Sequence, residues 1–275
     1  MIYHYTDLNA AKSITENAQI WLTDYRYLND KEEFLKGFSV LCDALEEYDN
    51  YSAEYPDEFK ENIKEFLEFI RTENHSVLER SCIFVSSYSK TPNLLSQWRS
   101  YGMYSLELDE AFLDYDHDDV YLLDCHYVYH LGDAKEYAEH IIEGNILPKL
   151  IKQWDDNNKW IIGLELMSLI EIYALSFKHE AFNDEDEIRL VISCSADDPR
   201  IQFRVKGELL IPYIPIKYDP KILKSITIGP IDNQELACDS LNMFANQISR
   251  RIQMDEMNFE YNLGVECSDI PYRKI

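Results

Sequence analysis

The chain has 275 residues and 32.5 kDa, enough for a substantial hydrophobic core in one large domain or two small ones. Apolar residues make up 46% and aromatics 13%, which excludes a disordered or low-complexity polymer. With 51 acidic against 26 basic residues it carries 25 net negative charges, a surface that repels polyanions and argues against broad nucleic-acid coating.

Ile2 to Tyr5 reads as an opening strand, followed by a helix from about Leu8 to Asn17 and a second strand from Gln19 to Thr23. Asp30 and Glu33 have the spacing of a capping box, after which Phe34, Phe38, Leu41, Cys42 and Leu45 repeat on one helical face. Another helix is expected from Pro56, with Phe59, Ile63, Phe66, Leu67 and Ile70 on one stripe, and the two read as a hairpin. Cys82 to Val85 is short, apolar and β-prone, a helix is expected around Leu94 to Tyr101, and Tyr121 to Tyr129 is β-rich again. The stretch from Asp133 to Lys178 reads as mostly helical, interrupted by the turn-forming cluster Asp155, Asp156, Asn157 and Asn158. Within it Trp160 to Phe177 is the most apolar segment; Glu165, Ser168 and Glu171 at threefold spacing give it one polar stripe, which suits a central core helix rather than a membrane span. Strands are expected at Ile188 to Ser193, Ile201 to Val205, Leu209 to Ile216 and Ile222 to Ile228, then a closing helix from Leu236 to Ile252. Strands and helices fall in blocks, so the class is α+β: a single domain over 1–275, with helical insertions at about 31–75 and 133–179.

Six cysteines lie far apart with no C-x-x-C pair, so they read as reduced, mostly buried thiols. The opening residues lack a basic and apolar leader, and the expectation is a cytosolic protein without a membrane partner. The acidic run Asp114 to Asp119 fits no metal-loop spacing and is read as a solvated loop. His126 and His130, four apart in a β-prone run, suit strand packing better than zinc, so no metal is expected. Glycine-rich phosphate loops, the nucleophile-elbow motif and the zincin motif are all absent from the sequence.

Polar residues concentrate at element edges: Tyr3 to Thr6, Leu28 to Asp30, Ser86 to Tyr88, Gln97 to Gly102, Phe177 to Arg189 and Ser268 to Arg273. The strings YHYT, WLTDYRYLND, FVSSYS with LLSQWRSYG, FKHEAFNDEDEIRLV, IPYIPIK, ITIGP and SDIPYR resemble the bacterial domain of unknown function numbered 2971 over nearly the whole chain. The opening strand with Tyr-His-x-Thr, then helix and strand, also resembles the diphtheria-toxin-type ADP-ribosyltransferases that carry a His-Tyr-Glu triad. That second resemblance implies a split β-sheet core and NAD as cofactor. It maps His4 to the ribose-holding imidazole, Tyr101 to the ring on nicotinamide with Trp98 as an alternate, and Glu187 to the catalytic carboxylate. Glu185-Asp186-Glu187 also resembles the E-x-E pair of arginine-directed transferases.

Such chemistry has physical requirements. Cleaving the nicotinamide–ribose bond develops positive charge on the sugar, which a carboxylate stabilises. The two phosphates of NAD need a local cation in so acidic a chain, and Arg99, Lys178 and Arg189 are the candidates, with Thr6 beside His4. Each residue also has a structural explanation: His4 as a hydrogen-bonding partner within the sheet, Tyr101 and Trp98 as core, Glu187 and Arg189 as a same-face ion pair. The expectation is an NAD-dependent ADP-ribosyltransferase or NAD glycohydrolase acting as a bacterial toxin or anti-phage effector on an acceptor the sequence leaves open. Its rival is a non-catalytic sensing module whose acidic surface binds a basic protein partner. A nucleic-acid hydrolase is disfavoured by the charge.

Overall fold

Asp7 separates the first two elements, because its side chain accepts from the backbone N–H of Ala10 at 2.9 Å and so caps a helix where the strand ends. The computed structural model describes residues 1–28, 31–51, 55–72, 82–113, 119–128, 131–255 and 260–271. It begins with β1 (Ile2–Thr6), α1 (Leu8–Asn17) and β2 (Gln19–Asp24), and continues with α2 (Lys31–Glu47), α3 (Asp57–Thr72), β3 (Cys82–Ser89), α4 (Leu95–Tyr101) and β4 (Tyr104–Leu108). After β5 (Val120–Asp124) and β6 (His126–Val128) come α5 (Leu131–Ile141), α6 (Leu147–Gln153) and α7 (Lys159–Ala174), and then β7 (Phe177–His179) and β8 (Glu187–Cys194). The chain closes with β9 (Gln202–Lys206), β10 (Leu209–Lys217), β11 (Leu223–Ile228), α8 (Gln234–Asp255) and β12 (Gly264–Cys267). The class is α+β, as the block pattern implies.

Strand β3 is the hub of a mixed sheet. One edge pairs from Cys82 to Ser89 with β8, which pairs in turn with β5. The other edge is shared: Phe84 and Val85 face Asp24 and Thr23 of β2, while Ser89 faces Tyr3 of β1. Two wings therefore leave the same edge, one ordered β1–β4–β11–β12 and the other β2–β10–β9. Between them Ser86, Ser87 and Tyr88 have neither β1 nor β2 in register, and the sheet divides.

Each face of the sheet buries its own core. Val85 and Val191 point into a helical layer built from α2, α3, α5, α6 and α7. Ile2, Leu22, Phe84, Leu106, Leu190 and Ile226 face the opposite way, against α1 and α8. Period-two alternation along each strand divides the residues between these layers.

Several expectations need correction. Helices α2 and α3 do not form a hairpin packed mainly on itself: both wrap the apolar helix α7, and α2 also lies on α5. Helix α7 does occupy the core, but Glu171 on its polar stripe is fully buried, whereas Trp160 (56%) and Ile161 (53%) are exposed. The second helical segment ends at Ala174, and Phe177 to His179 form β7 instead. The β-rich run after Tyr121 divides at Cys125, whose N–H donates to Glu187 while that of His126 donates to Ser176, so the backbone changes sheets. Strands β4 and β12 were not anticipated. Of the six thiols, all free, only Cys42 and Cys125 are buried. The Asp30 capping box lies outside the described residues.

Candidate functional site

A cavity of about 780 Å³ occupies the division of the sheet, in the size range of small-molecule sites. Its walls come from β1, α1, β2, β3, the end of α4, Glu187 of β8 and the outer strand β9. His4, Thr6, Tyr101 and Glu187 all line it, so four of the residues picked out by sequence share one space. His4 is in register with Leu106, and Glu187 with Ser89, which itself faces Tyr3. These registers set His4 and Glu187 on opposite pleats, and the division of the sheet lets both reach the same space.

His4 completes a strand edge that β-pairing leaves open. Its Nδ1 lies 3.0 Å from the Ser87 carbonyl oxygen; a carbonyl only accepts, so Nδ1 carries the proton and Nε2 is left as an acceptor. Burial pushes the imidazole pKa below its usual value, with the Ser87 contact opposing in part. The hydrogen bond within the sheet and the cavity-lining position therefore hold together. Tyr101 is set by Gly102, whose φ of +134° suits glycine and whose site leaves no room for a Cβ, since one would stand 2.4 Å from the Thr6 carbonyl oxygen. That close approach presses the end of α4 onto the end of β1 and leaves Tyr101 44% exposed at the cavity.

Glu187 is 6% exposed and sits on a buried ionic cluster. Arg189, two residues along the same strand, donates from Nε to Glu187 Oε1 at 2.8 Å and from a terminal nitrogen to the Leu175 carbonyl at 2.8 Å. Lys178 of β7 donates to both Glu187 and Glu185. Burial raises the Glu187 pKa, but the Arg189 and Lys178 charges outweigh it and hold the carboxylate at about 2. Burial likewise lowers the Lys178 ammonium, while Glu187, the Tyr101 phenol and Glu185 more than reverse this and keep it protonated. The same-face ion pair is thus real, and it presents an ionised carboxylate at the cavity wall.

The expected phosphate-binding cations are placed otherwise. Lys178 and Arg189 are 3% and 2% exposed and committed to Glu187 and Glu185, and Arg99 is exposed and does not line the cavity. Trp98 does not line this space either: it is 1% exposed, meets Tyr5 edge-on at 4.7 Å between centroids and donates to Asn93 at 3.1 Å. Sequence reasoning missed Arg204 and Lys206 of β9, which do line the cavity. Arg204 stands 5.5 Å over the Trp21 ring and donates to Thr23 Oγ1 at 3.0 Å; its Nε is buried without a partner among the described residues. The alternation in Gln-Phe-Arg-Val-Lys was a usable signal, since it puts two cations on one face of a short strand.

Other sequence candidates resolve simply. His126 stacks on Tyr137 with centroids 3.2 Å apart, and no metal-binding group of three or more His, Cys, Asp or Glu occurs among the described residues. His130, Asp114 to Asp118, Asn29, Tyr272 and Arg273 lie outside those residues, while Asp119 accepts from Arg200. Among the described residues no helix is long and apolar enough to cross a membrane. No family model, no curated protein and no solved structure matches the chain.

Proposed function

We propose that this chain cleaves NAD as an ADP-ribosyltransferase or NAD glycohydrolase of split-sheet type, and that it serves as a cytosolic bacterial toxin or anti-phage effector within the family of domain of unknown function 2971. The observation that supports the reading is the shared cavity: His4, Tyr101 and Glu187 line one space of suitable size, and its carboxylate is held ionised. NAD supplies a nicotinamide–ribose bond whose cleavage builds positive charge on the sugar. Glu187 would stabilise that charge, His4 Nε2 would accept from a ribose hydroxyl, and the Tyr101 ring would face nicotinamide. Arg204 and Lys206 take over the phosphate-balancing role first given to Arg99, Lys178 and Arg189.

NAD turnover by the purified chain, followed by chromatography of released nicotinamide, tests this reading. Tyr101→Ala is the most informative variant, because an exposed ring can be removed with little effect on folding. It is expected to cut turnover by about tenfold or more with an unchanged melting temperature. Absence of both turnover and an NAD-dependent thermal shift overturns the enzyme reading. In that event the 25 net negative charges favour the second reading, a sensing module that binds a basic partner with steep salt dependence.

A further inference from the structure

A second pocket of about 230 Å³ lies beyond Tyr3, on the polar face of the β1–β4–β11–β12 wing. Strand registers explain its composition. Tyr3, Glu107 and Ser225 form one cross-strand row; Tyr5, Ser105, Thr227 and Glu266 form the next, all on the same pleat. Six lining residues carry the chemistry: Tyr3, Ser105, Glu107, Thr227, Glu266 and, from α4, Trp98. Glu107 accepts from the Ser225 hydroxyl at 2.7 Å and the Tyr3 phenol at 3.3 Å, and among the described residues neither Glu107 nor Glu266 has an ion-pair partner.

Two carboxylates alone identify nothing in so acidic a chain. The independent observation is Ser105: it is 2% exposed, lines this pocket, and its Oγ has no hydrogen-bond partner among the described residues. A buried hydroxyl without a partner is costly, and here it stands beside acceptors that have no ion-pair partner among the described residues. Burial, Glu107 and Glu266 in that order raise the Tyr3 phenol pKa, in keeping with both carboxylates reaching the pocket.

We propose that this pocket binds a guanidinium group, carried by a small molecule or a side chain. Glu107 and Glu266 rise from strands with β11 between them and from neighbouring rows, so their backbones stand about 12 Å apart. A planar fork with donors on several nitrogens spans such spread acceptors better than a compact ammonium does. The site is separate from the NAD cavity and is read without NAD.

Titration calorimetry of the full chain with butylguanidinium, butylammonium and neutral butylurea tests the assignment, alongside amide chemical shifts at Ser105 and Thr227. Butylguanidinium is expected to bind and shift both amides, with butylurea silent and Glu266→Gln weakening binding at least tenfold. Glu266 is exposed, so that variant folds; Glu107→Gln keeps an acceptor for Ser225 and is the second check. Equal binding of butylurea or butylammonium, unchanged affinity in Glu266→Gln, or no binding of butylguanidinium at millimolar concentration overturns the proposal. Neither result bears on NAD turnover, so the two readings stand or fall separately.

Discussion

The chain holds two pairs of glutamates, one in the turn before β8 and at the start of that strand, the other on β4 and β12, and treats them in opposite ways. Glu185 and Glu187 are buried and share Lys178, with Arg189 added to Glu187, so the protein itself supplies the counter-charge. Glu107 and Glu266 sit on the β4 and β12 wing with hydroxyl neighbours and no ion-pair partner among the described residues. In a protein with 51 acidic residues a carboxylate is therefore a poor signal of function by itself; its counter-charge and burial carry the information.

The sharpest way to break this contrast is to unbalance the buried cluster. Arg189→Met removes the guanidinium from Glu187 and from the Leu175 carbonyl and is expected to cost about 3–5 kcal/mol in urea unfolding. A loss under about 1 kcal/mol would show that the cluster does not depend on that charge.

Acid unfolding sharpens the contrast next. Glu187 has a folded pKa of about 2, below its unfolded value, so its contribution is complete above the ordinary carboxylate range near 4.3 and is lost as pH falls towards 2. His4 is also depressed, but as a base. Below about pH 6.5 the unfolded chain binds more protons there than the folded one, so stability already declines from that point. Unfolding midpoints between pH 7 and 5 are expected to flatten in His4→Gln, and an unchanged slope would remove His4 from the account. His126, lowered by burial, contributes in the same window and remains in that variant.

The smallest effect is expected at the open pair. Glu266→Gln changes an exposed side chain with no ion-pair partner among the described residues and is expected to move stability by less than about 0.5 kcal/mol in thermal melts. A larger loss would mean that the carboxylate supports the fold, and the second pocket would lose one of its two charges.

Much of the secondary structure was legible because local pattern and tertiary burial agree. Helix α1 runs from Leu8 to Asn17 as its period implies, and β8 to β11 fall where alternating or apolar runs lie between turn residues. The misses have identifiable causes. Strand β4 is five residues long and directly follows a helix, yet β1 and β11 on either side make it central. Phe177 to His179 continue an apolar helical run, but pairing with β6 captures them as a strand. Tyr101 and its alternate Trp98 lie three apart on one short helix, and it is packing that separates them: Trp98 is buried against Tyr5 and Tyr101 stays at the cavity.

Period two along one strand was enough to predict that Glu187 and Arg189 share a face, and composition was enough to show that any bound anion needs a local cation. Which cation serves was beyond the sequence. Arg204 reaches the cavity only because β9 pairs with β10, β10 with β2, and β2 with Phe84 and Val85 on one edge of β3. Those contacts join residues up to about two-thirds of the chain apart, and strand pairing over such separations is decided by the packing of both cores together, which no local period records.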